Sequence, residues 1–110
     1  MKNNMLFSIL FFTSIFCWAC EDEKPRRRVV AESERMEGAT IFRKNCVTCH
    51  GVDGGLGMNG AANLSVSILS LDERILVVTN GRGTMQAWKS ILSEAEIKAV
   101  AEYTIGLRKQ

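Results

Sequence analysis

Three side chains with unusual chemistry stand within the short stretch Cys-Val-Thr-Cys-His: Cys46, Cys49 and His50. Cys-x-x-Cys-His is the pattern by which haem is attached covalently to a protein. The two thiols add to the two vinyl groups of the porphyrin, and the neighbouring imidazole binds the iron. The two intervening residues put the sulfur atoms on neighbouring turns of a short helical segment, so the imidazole projects under the ring. We therefore expect one covalently bound haem c, held by Cys46, Cys49 and His50.

Two other kinds of site fit these residues less well. A structural zinc ion needs four Cys or His ligands, but His50 is the only histidine, and the remaining cysteines, Cys17 and Cys20, lie in an apolar N-terminal run. A dithiol oxidoreductase carries its cysteines near a βαβ unit, whereas the residues on both sides of Cys46 and Cys49 are typical of helices. Haem attachment is the better interpretation.

The composition is that of a small exported domain. The chain has 110 residues, of which 46% are hydrophobic, and its net charge of +2 gives no indication of nucleic-acid binding. Lys2 precedes an almost wholly apolar run from Met5 to Ala19. This is the pattern of a signal peptide, which we assign to residues 1–19. An uncleaved anchor is disfavoured because the run is shorter than the roughly 20 apolar residues of a membrane span.

The end of the signal peptide resembles the lipobox of bacterial lipoproteins. Ala19 and Cys20 are followed directly by acidic residues, and in lipoproteins such a cysteine is lipidated and becomes the new N-terminus. Cys17 and Trp18 depart from the residues usual in that motif, so an ordinary cleaved signal stays as the alternative. We predict lipidation at Cys20 and a location on the periplasmic side, anchored to a membrane.

Two segments follow the signal peptide. Residues 20–32 carry charges of both signs around Pro25 and few apolar side chains, a composition that favours a flexible, solvated tether. Residues 33–110 form the predicted globular domain. An unaided core is marginal at this length, and a buried porphyrin would supply much of the missing apolar core.

The globular domain is predicted to be all-α, with no strand pattern and no internal repeat. Apolar residues recur at helical spacing from Glu34 to about Cys46, with Ser33 as the N-cap. Two capping boxes, each a serine followed three residues later by a glutamate, open further helices. They are Ser70–Glu73, for a helix that ends near Asn80, and Ser93–Glu96, for a helix that runs to about Leu107.

The sixth ligand of the iron must be Met, Lys or nothing, because the chain has one histidine and a bis-histidine site is impossible. Three methionines follow the signal peptide: Met36, Met58 and Met85. Met36 lies in the helix that leads into the motif, and Met58 follows His50 so closely that it would stay on the histidine's side of the ring. Met85 lies in a glycine-containing segment loose enough to place its thioether on the far side. Met85 is the predicted ligand.

Together these positions resemble small monohaem class I cytochromes c, of the cytochrome c6 and oxidase-associated kinds. The similarity covers nearly all of residues 33–110. It implies a small helical domain wrapped around the haem, in which the first and last helices cross and Gly38 admits the aromatic ring of Tyr103. The residues that carry the resemblance are Gly38, Phe42, Cys46–Gly51, Met85, Trp88 and Tyr103.

Two positions depart from the pattern of that family. Ala62-Asn63-Leu64 stands where Pro-x-Leu is common, and the carbonyl of that first residue receives the ring N–H of the histidine. The carbonyl of Ala62 could still accept this bond from a less stiff loop. Gln86 stands where proline frequently follows the ligand methionine, which predicts a looser loop around Met85.

Filled axial positions leave an iron that can only pass electrons. We therefore expect no enzyme and no small-molecule substrate, but a carrier of single electrons between membrane or periplasmic redox proteins. Basic residues could steer an acidic partner or simply be solvated surface charges; they are Arg43, Lys44, Arg82 and Lys89. Two alternatives stay open: a haem sensor or small catalyst in which Met85 is not bound, and a haem subunit of a larger respiratory complex.

Overall fold

The computed structural model describes residues 24–109, and over this range the fold is all-α. The predicted signal peptide and Cys20 lie outside the described residues. The helices are α1 (Lys24–Asn45), α2 (Val47–His50), α3 (Leu71–Asn80) and α4 (Glu94–Ile105), and a single 3₁₀ turn lies at Met58–Gly60. Among residues 24–109 no helix combines the length and the apolar composition that crossing a membrane requires.

The core lies where α1 crosses α4. Ile41 and Phe42 of α1 are buried against Val100 of α4, and Phe42 is 1% exposed. The ring of Phe42 lies 5.3 Å from that of Tyr103, tilted by 49°, an arrangement that aromatic pairs favour. This contact joins the helix that leads into the cysteine motif to the last helix.

Gly38 is the close-approach position of this crossing. A Cβ atom placed on Gly38 would overlap the backbone oxygen of Ala99 and lie 3.0 Å from the Cβ of Tyr103. The predicted pairing of Gly38 with Tyr103 is therefore confirmed, and the backbone of Ala99 proves to be the nearer obstacle. Because interiors are closely packed, this crossing distance requires a residue without a side chain.

Helix α1 begins at Lys24, so the prediction that it begins near Ser33 is wrong. Arginine, alanine and glutamate are strong helix formers, and Pro25 stands in the first turn, where proline is tolerated. The side chains of residues 26–33 are all exposed. Residues 24–32 are thus helical, and their use as a tether to the packed domain stays a prediction.

Both predicted capping boxes are present. In α3 the Ser70 hydroxyl accepts from the backbone N–H of Glu73, whose carboxylate accepts from the backbone N–H of Ser70. Ser93 and Glu96 make the same exchange in α4. Helix α4 ends at Ile105 and not at Leu107, because Gly106 follows it, and α3 packs against α4. These helices hold the two loops that carry the remaining candidate ligands.

Candidate haem-binding site

The cysteine motif forms a short helical stretch directly after α1. Cys46 donates its backbone N–H to the oxygen of Phe42 at 2.9 Å, and His50 donates to the oxygen of Cys46 at 3.0 Å. This backbone brings the two thiols and the imidazole to the same side of α2. Cys46, Cys49 and His50 line one cavity of about 550 Å³, a volume within the usual range of ligand pockets.

The orientation of the His50 ring is set by a loop of the backbone. Nδ1 of this buried ring lies 2.9 Å from the oxygen of Ala62. A carbonyl oxygen only accepts, so Nδ1 donates and the proton resides on that nitrogen. Nε2 then carries the free lone pair, which is the form of histidine that binds a metal ion. The backbone hydrogen bond expected from the resemblance is present although Ala62 replaces proline.

The loop that carries Ala62 is held by neighbouring hydrogen bonds. The side-chain oxygen of Asn63 accepts from the backbone N–H of Ser65 at 2.9 Å and from its hydroxyl at 2.7 Å. Leu64 donates its backbone N–H to the oxygen of Gly54 at 2.7 Å. These bonds stabilise the loop without the rigidity that a proline would add.

Met85 lies in a tight hairpin after α3. Arg82 and Met85 exchange backbone hydrogen bonds of 3.1 and 3.0 Å around Gly83 and Thr84. Gly81, which ends α3, has a φ of 74°, and a Cβ there would overlap the oxygen of Met85. A glycine is therefore needed at the base of the hairpin.

Two anchors hold this hairpin against the rest of the cavity wall. The Thr84 hydroxyl donates to the oxygen of Asn59 at 3.0 Å, across to the 3₁₀ turn. The backbone N–H of Trp88 donates to the oxygen of Val78 at 3.0 Å, which returns the chain along α3. The loop predicted to be loose near Gln86 is thus fastened at both ends.

The three candidate methionines occupy different places. Met36 is exposed on α1 and is not part of the cavity wall. Met58 and Met85 both line the cavity. The turn that contains Met58 packs against α2, the helix of His50, and its place on the histidine's side of the ring stays a prediction. Met85 reaches the cavity from the hairpin after α3.

The remainder of the wall is mostly apolar, as a porphyrin requires. Side chains from α1, α3 and the connecting loops contribute to it, among them Phe42, Leu64, Leu69, Val77, Val78 and Trp88. The cavity therefore offers an apolar wall, two thiols, an imidazole with a free lone pair and a thioether. This donor set fits an iron porphyrin attached by two thioether bonds.

Cys46 and Cys49 do not form a disulfide with each other. Burial and, to a smaller extent, repulsion from the neighbouring Cys49 raise the pKa of the Cys46 thiol to about 11. Among the described residues no group of three or more His, Cys, Asp or Glu side chains is placed to hold a metal ion.

One cavity residue was not singled out from the sequence. Arg74 of α3 is buried and lines the cavity, whereas a charged residue within an exposed helix reads as a surface residue. The sequence feature that could have indicated it is helical spacing, because Arg74 stands on the same face of α3 as Val77 and Val78. Of the predicted basic patch only Arg82 lines the cavity; Arg43, Lys44 and Lys89 are exposed elsewhere.

Comparison with known proteins identifies the family. Residues 33–103 match the profile of the family described as cytochrome c oxidase, cbb3-type, subunit III. The chain belongs to this family. It is a small monohaem class I cytochrome c with the class I fold and one covalently bound haem c, and it acts in electron transfer. The predicted fold class, cofactor and broad function are confirmed.

Two relatives illustrate the range of the similarity. The cytochrome is 48% identical over 77 residues to the cbb3-type cytochrome c oxidase subunit CcoP of Cereibacter sphaeroides, covering 64% of this chain and 27% of that subunit. It is 38% identical over 79 residues to the cytochrome c6 of Leptolyngbya boryana, covering 66% of this chain and 92% of that protein. The chain thus spans about a quarter of CcoP but nearly all of cytochrome c6.

Solved structures of similar proteins share the fold. Cytochrome c6C from Synechococcus sp. PCC 7002 superposes with a TM-score of 0.57 at 33% identity, covering 64% of this chain and 92% of that one. The c-type cytochrome KustC0563 gives a TM-score of 0.59 at 27% identity, covering 66% of this chain and 98% of that one. The packed part of the cytochrome therefore corresponds to an almost complete domain of each neighbour.

Proposed function

We propose that this cytochrome carries single electrons with an iron ligated by His50 and Met85, in a haem bound covalently through Cys46 and Cys49. The observation that carries the proposal is the His50 ring, whose Nδ1 donates to the oxygen of Ala62. This bond leaves Nε2 with a free lone pair in a side chain that lines the cavity. The two thiols and Met85 line the same cavity.

The haem supplies a one-electron couple, and methionine ligation favours the ferrous form and raises the reduction potential. The protein contributes the coordination and the apolar wall. When an imidazole and a thioether fill both axial positions, no substrate reaches the iron. The cytochrome is then a carrier and not an enzyme.

The carrier reading is tested first by carbon monoxide. We expect the visible spectrum of the reduced protein to be unchanged after carbon monoxide is added, because both axial positions are occupied. A prompt spectral shift would instead show an open or labile iron. In that case the protein would act as a haem sensor or small catalyst, and the proposed ligation by Met85 would be wrong.

A second candidate function keeps the chemistry and changes the partner. The 48% identity with a segment of the oxidase subunit CcoP favours a haem subunit within a larger respiratory complex. The nearly complete match to cytochrome c6 favours a free carrier. Mild detergent extraction followed by size-exclusion chromatography separates the two: a free carrier elutes alone, whereas a subunit elutes with a stable set of other polypeptides.

We propose that the redox partner is a protein with an acidic surface that binds the cytochrome transiently. Arg82 is exposed and lines the cavity, so it stands beside the proposed haem. Arg43 and Lys44 are exposed in the last turn of α1. Such charges raise the rate of encounter more than the affinity. The second-order rate of electron transfer to an acidic partner should fall as the ionic strength rises.

Export and anchoring are proposed from the sequence alone. The apolar run over residues 1–19 and the Ala19-Cys20 junction favour a lipoprotein signal, with Cys20 as the modified N-terminal residue on the periplasmic side. Mass spectrometry of the mature N-terminus tests this. A diacylglyceryl adduct on Cys20 supports the anchor, and an unmodified N-terminus upstream or downstream of Cys20 contradicts it.

A further inference from the structure

Arg74 is a buried cation in the wall of the cavity. Its side chain is 4% exposed, although it belongs to the first turns of α3. Over residues 26–109 the salt bridges are Lys98–Glu102 and Lys109–Asp53, and no carboxylate lies within ion-pair distance of Arg74. A buried charge without a counter-charge is costly unless something else compensates it.

The hydrogen bonds of Arg74 satisfy only part of its guanidinium group, and all of its acceptors are neutral. Nε donates to the oxygen of Leu69 at 3.2 Å, and the two terminal nitrogens donate to the Thr104 hydroxyl at 2.9 Å and to the oxygen of Ser67 at 3.0 Å. A guanidinium group has five N–H donors. Two of the five donors therefore have no acceptor among the described residues.

The charged groups around Arg74 do not compensate its buried charge but add to the repulsion. Arg108, which follows α4, lies close enough to add repulsion, and burial together with Arg108 lowers the pKa of Arg74. The positive end of the α3 dipole adds to this. On α3 itself Asp72 and Glu73 are exposed, and the carboxylate of Glu73 is bonded to Ser70. From α4 the facing group is the neutral Thr104.

We propose that Arg74 binds a propionate carboxylate of the haem and so provides the charge pair inside the cavity. The two propionates are the anionic groups of an otherwise apolar porphyrin, and a guanidinium group is suited to a carboxylate because both are planar and can share two hydrogen bonds. Arg82, the other cation of the wall, is exposed, so its charge is screened by water. The inference rests on the proposed function, in which this cavity holds the haem.

Pairing with Arg74 has a consequence for the reduction potential. A carboxyl group buried beside a cation keeps a low pKa, whereas one buried without a partner has a raised pKa. A propionate paired with Arg74 stays ionised at neutral pH in both oxidation states. The reduction potential of the wild-type protein should then be independent of pH around neutrality.

The test is a potentiometric titration of the holoprotein across pH for the wild type, Arg74→Gln and Arg108→Gln. Glutamine can still donate to neutral acceptors but carries no charge. We expect Arg74→Gln to show a potential that falls with rising pH through a new step near neutrality, where the unpaired propionate ionises. Arg108 donates to the same oxygen of Leu69 and does not line the cavity, so Arg108→Gln should keep the flat wild-type profile.

If the role of Arg74 were only structural, Arg74→Gln would lower the free energy of unfolding without creating that step in the pH profile. A pH profile of Arg74→Gln that is as flat as that of the wild type would overturn the proposal. If Arg74→Gln does not accumulate as holoprotein, redox-difference infrared spectra of the wild type, with the propionates labelled by ¹³C, decide the question. Propionates that stay ionised through the neutral range support the pair, and a wild-type protonation step there overturns it. The visible spectrum separately reports whether haem is attached, so failure of the proposed function is distinguishable.

Discussion

Nδ1 of His50 donates to the backbone oxygen of Ala62 across a distance of 2.9 Å. The acceptor belongs to the backbone, so the identity of residue 62 influences the bond only through the stiffness of the loop. This bond holds the ring in one orientation, and its acceptor is a backbone atom and not a second side chain. This contact joins the cysteine motif on α2 to a loop that has no regular secondary structure at that point.

Loop stiffness at residue 62 should be visible in the exchange of the His50 Nδ1 proton. We expect Ala62→Gly to raise the exchange rate several-fold, because glycine widens the conformational freedom of the loop. Ala62→Pro should not raise it, since Ala61 has a ψ of 136° and a residue before proline adopts that value. Exchange is measured by proton NMR of the reduced holoprotein. Identical rates in the glycine variant and the wild type would refute a loop-controlled bond.

The two methionines that line the cavity should differ in their effect on the iron. We expect Met85→Ala to lower the reduction potential and to let the reduced protein bind carbon monoxide, because the thioether ligand is lost. Met58→Ala should change neither property, since its turn packs against the helix of His50. Potentiometry and carbon monoxide difference spectra measure both. The opposite assignment follows if only Met58→Ala opens the iron.

The crossing of α1 and α4 should not tolerate a side chain at Gly38. We expect Gly38→Ala to lower the free energy of unfolding by about 1 to 3 kcal/mol, because its Cβ would overlap the oxygen of Ala99. The control is Gly55→Ala, whose Cβ would meet no atom closer than 3.5 Å, with an expected change within about 0.5 kcal/mol. Denaturant unfolding of the holoproteins measures both. Equal stability of the two variants would contradict the close crossing.

The capping box of α4 should make the stability depend on pH in acid. The backbone N–H and then the hydroxyl of Ser93 bond to the Glu96 carboxylate and lower its pKa from the ordinary 4.5. The unfolded state therefore takes up the proton first, so this contribution is complete above the ordinary pKa and is lost as the pH falls through the folded pKa. We expect Glu96→Gln to lose less stability than the wild type between about pH 5 and 3.

The matched control for the capping box is Glu94→Gln. Glu94 is also in the first turn of α4, and its side chain takes no part in the box. We expect Glu94→Gln to keep the wild-type dependence of stability on pH in acid. The free energy of unfolding is measured by urea denaturation at several pH values. A Glu96→Gln profile that is as steep as the wild type would show that the box does not contribute to acid sensitivity.

The start of α1 shows where local pattern was insufficient. Ser33 has the character of an N-cap, but the residues before it are strong helix formers, and the helix continues through Ser33 from Lys24. A residue that favours the N-cap position does not start a helix there when the residues before it also favour a helix. The capping serines Ser70 and Ser93 were predicted correctly because each has its glutamate partner three residues on.

The sequence by itself determined the chemistry of this cytochrome, because Cys46, Cys49 and His50 are neighbours and their spacing on a helical turn is a local property. It also placed Met85 in a glycine-containing segment, and the resemblance to class I cytochromes c implied the close approach at Gly38. Only the tertiary structure decided that Arg74 is buried beside the cavity, since its burial depends on Thr104 of α4 and on the carbonyl groups of the preceding loop. The periodicity of a helix says which residues share a face, but only the packing of distant elements against that face determines which of them lose contact with water.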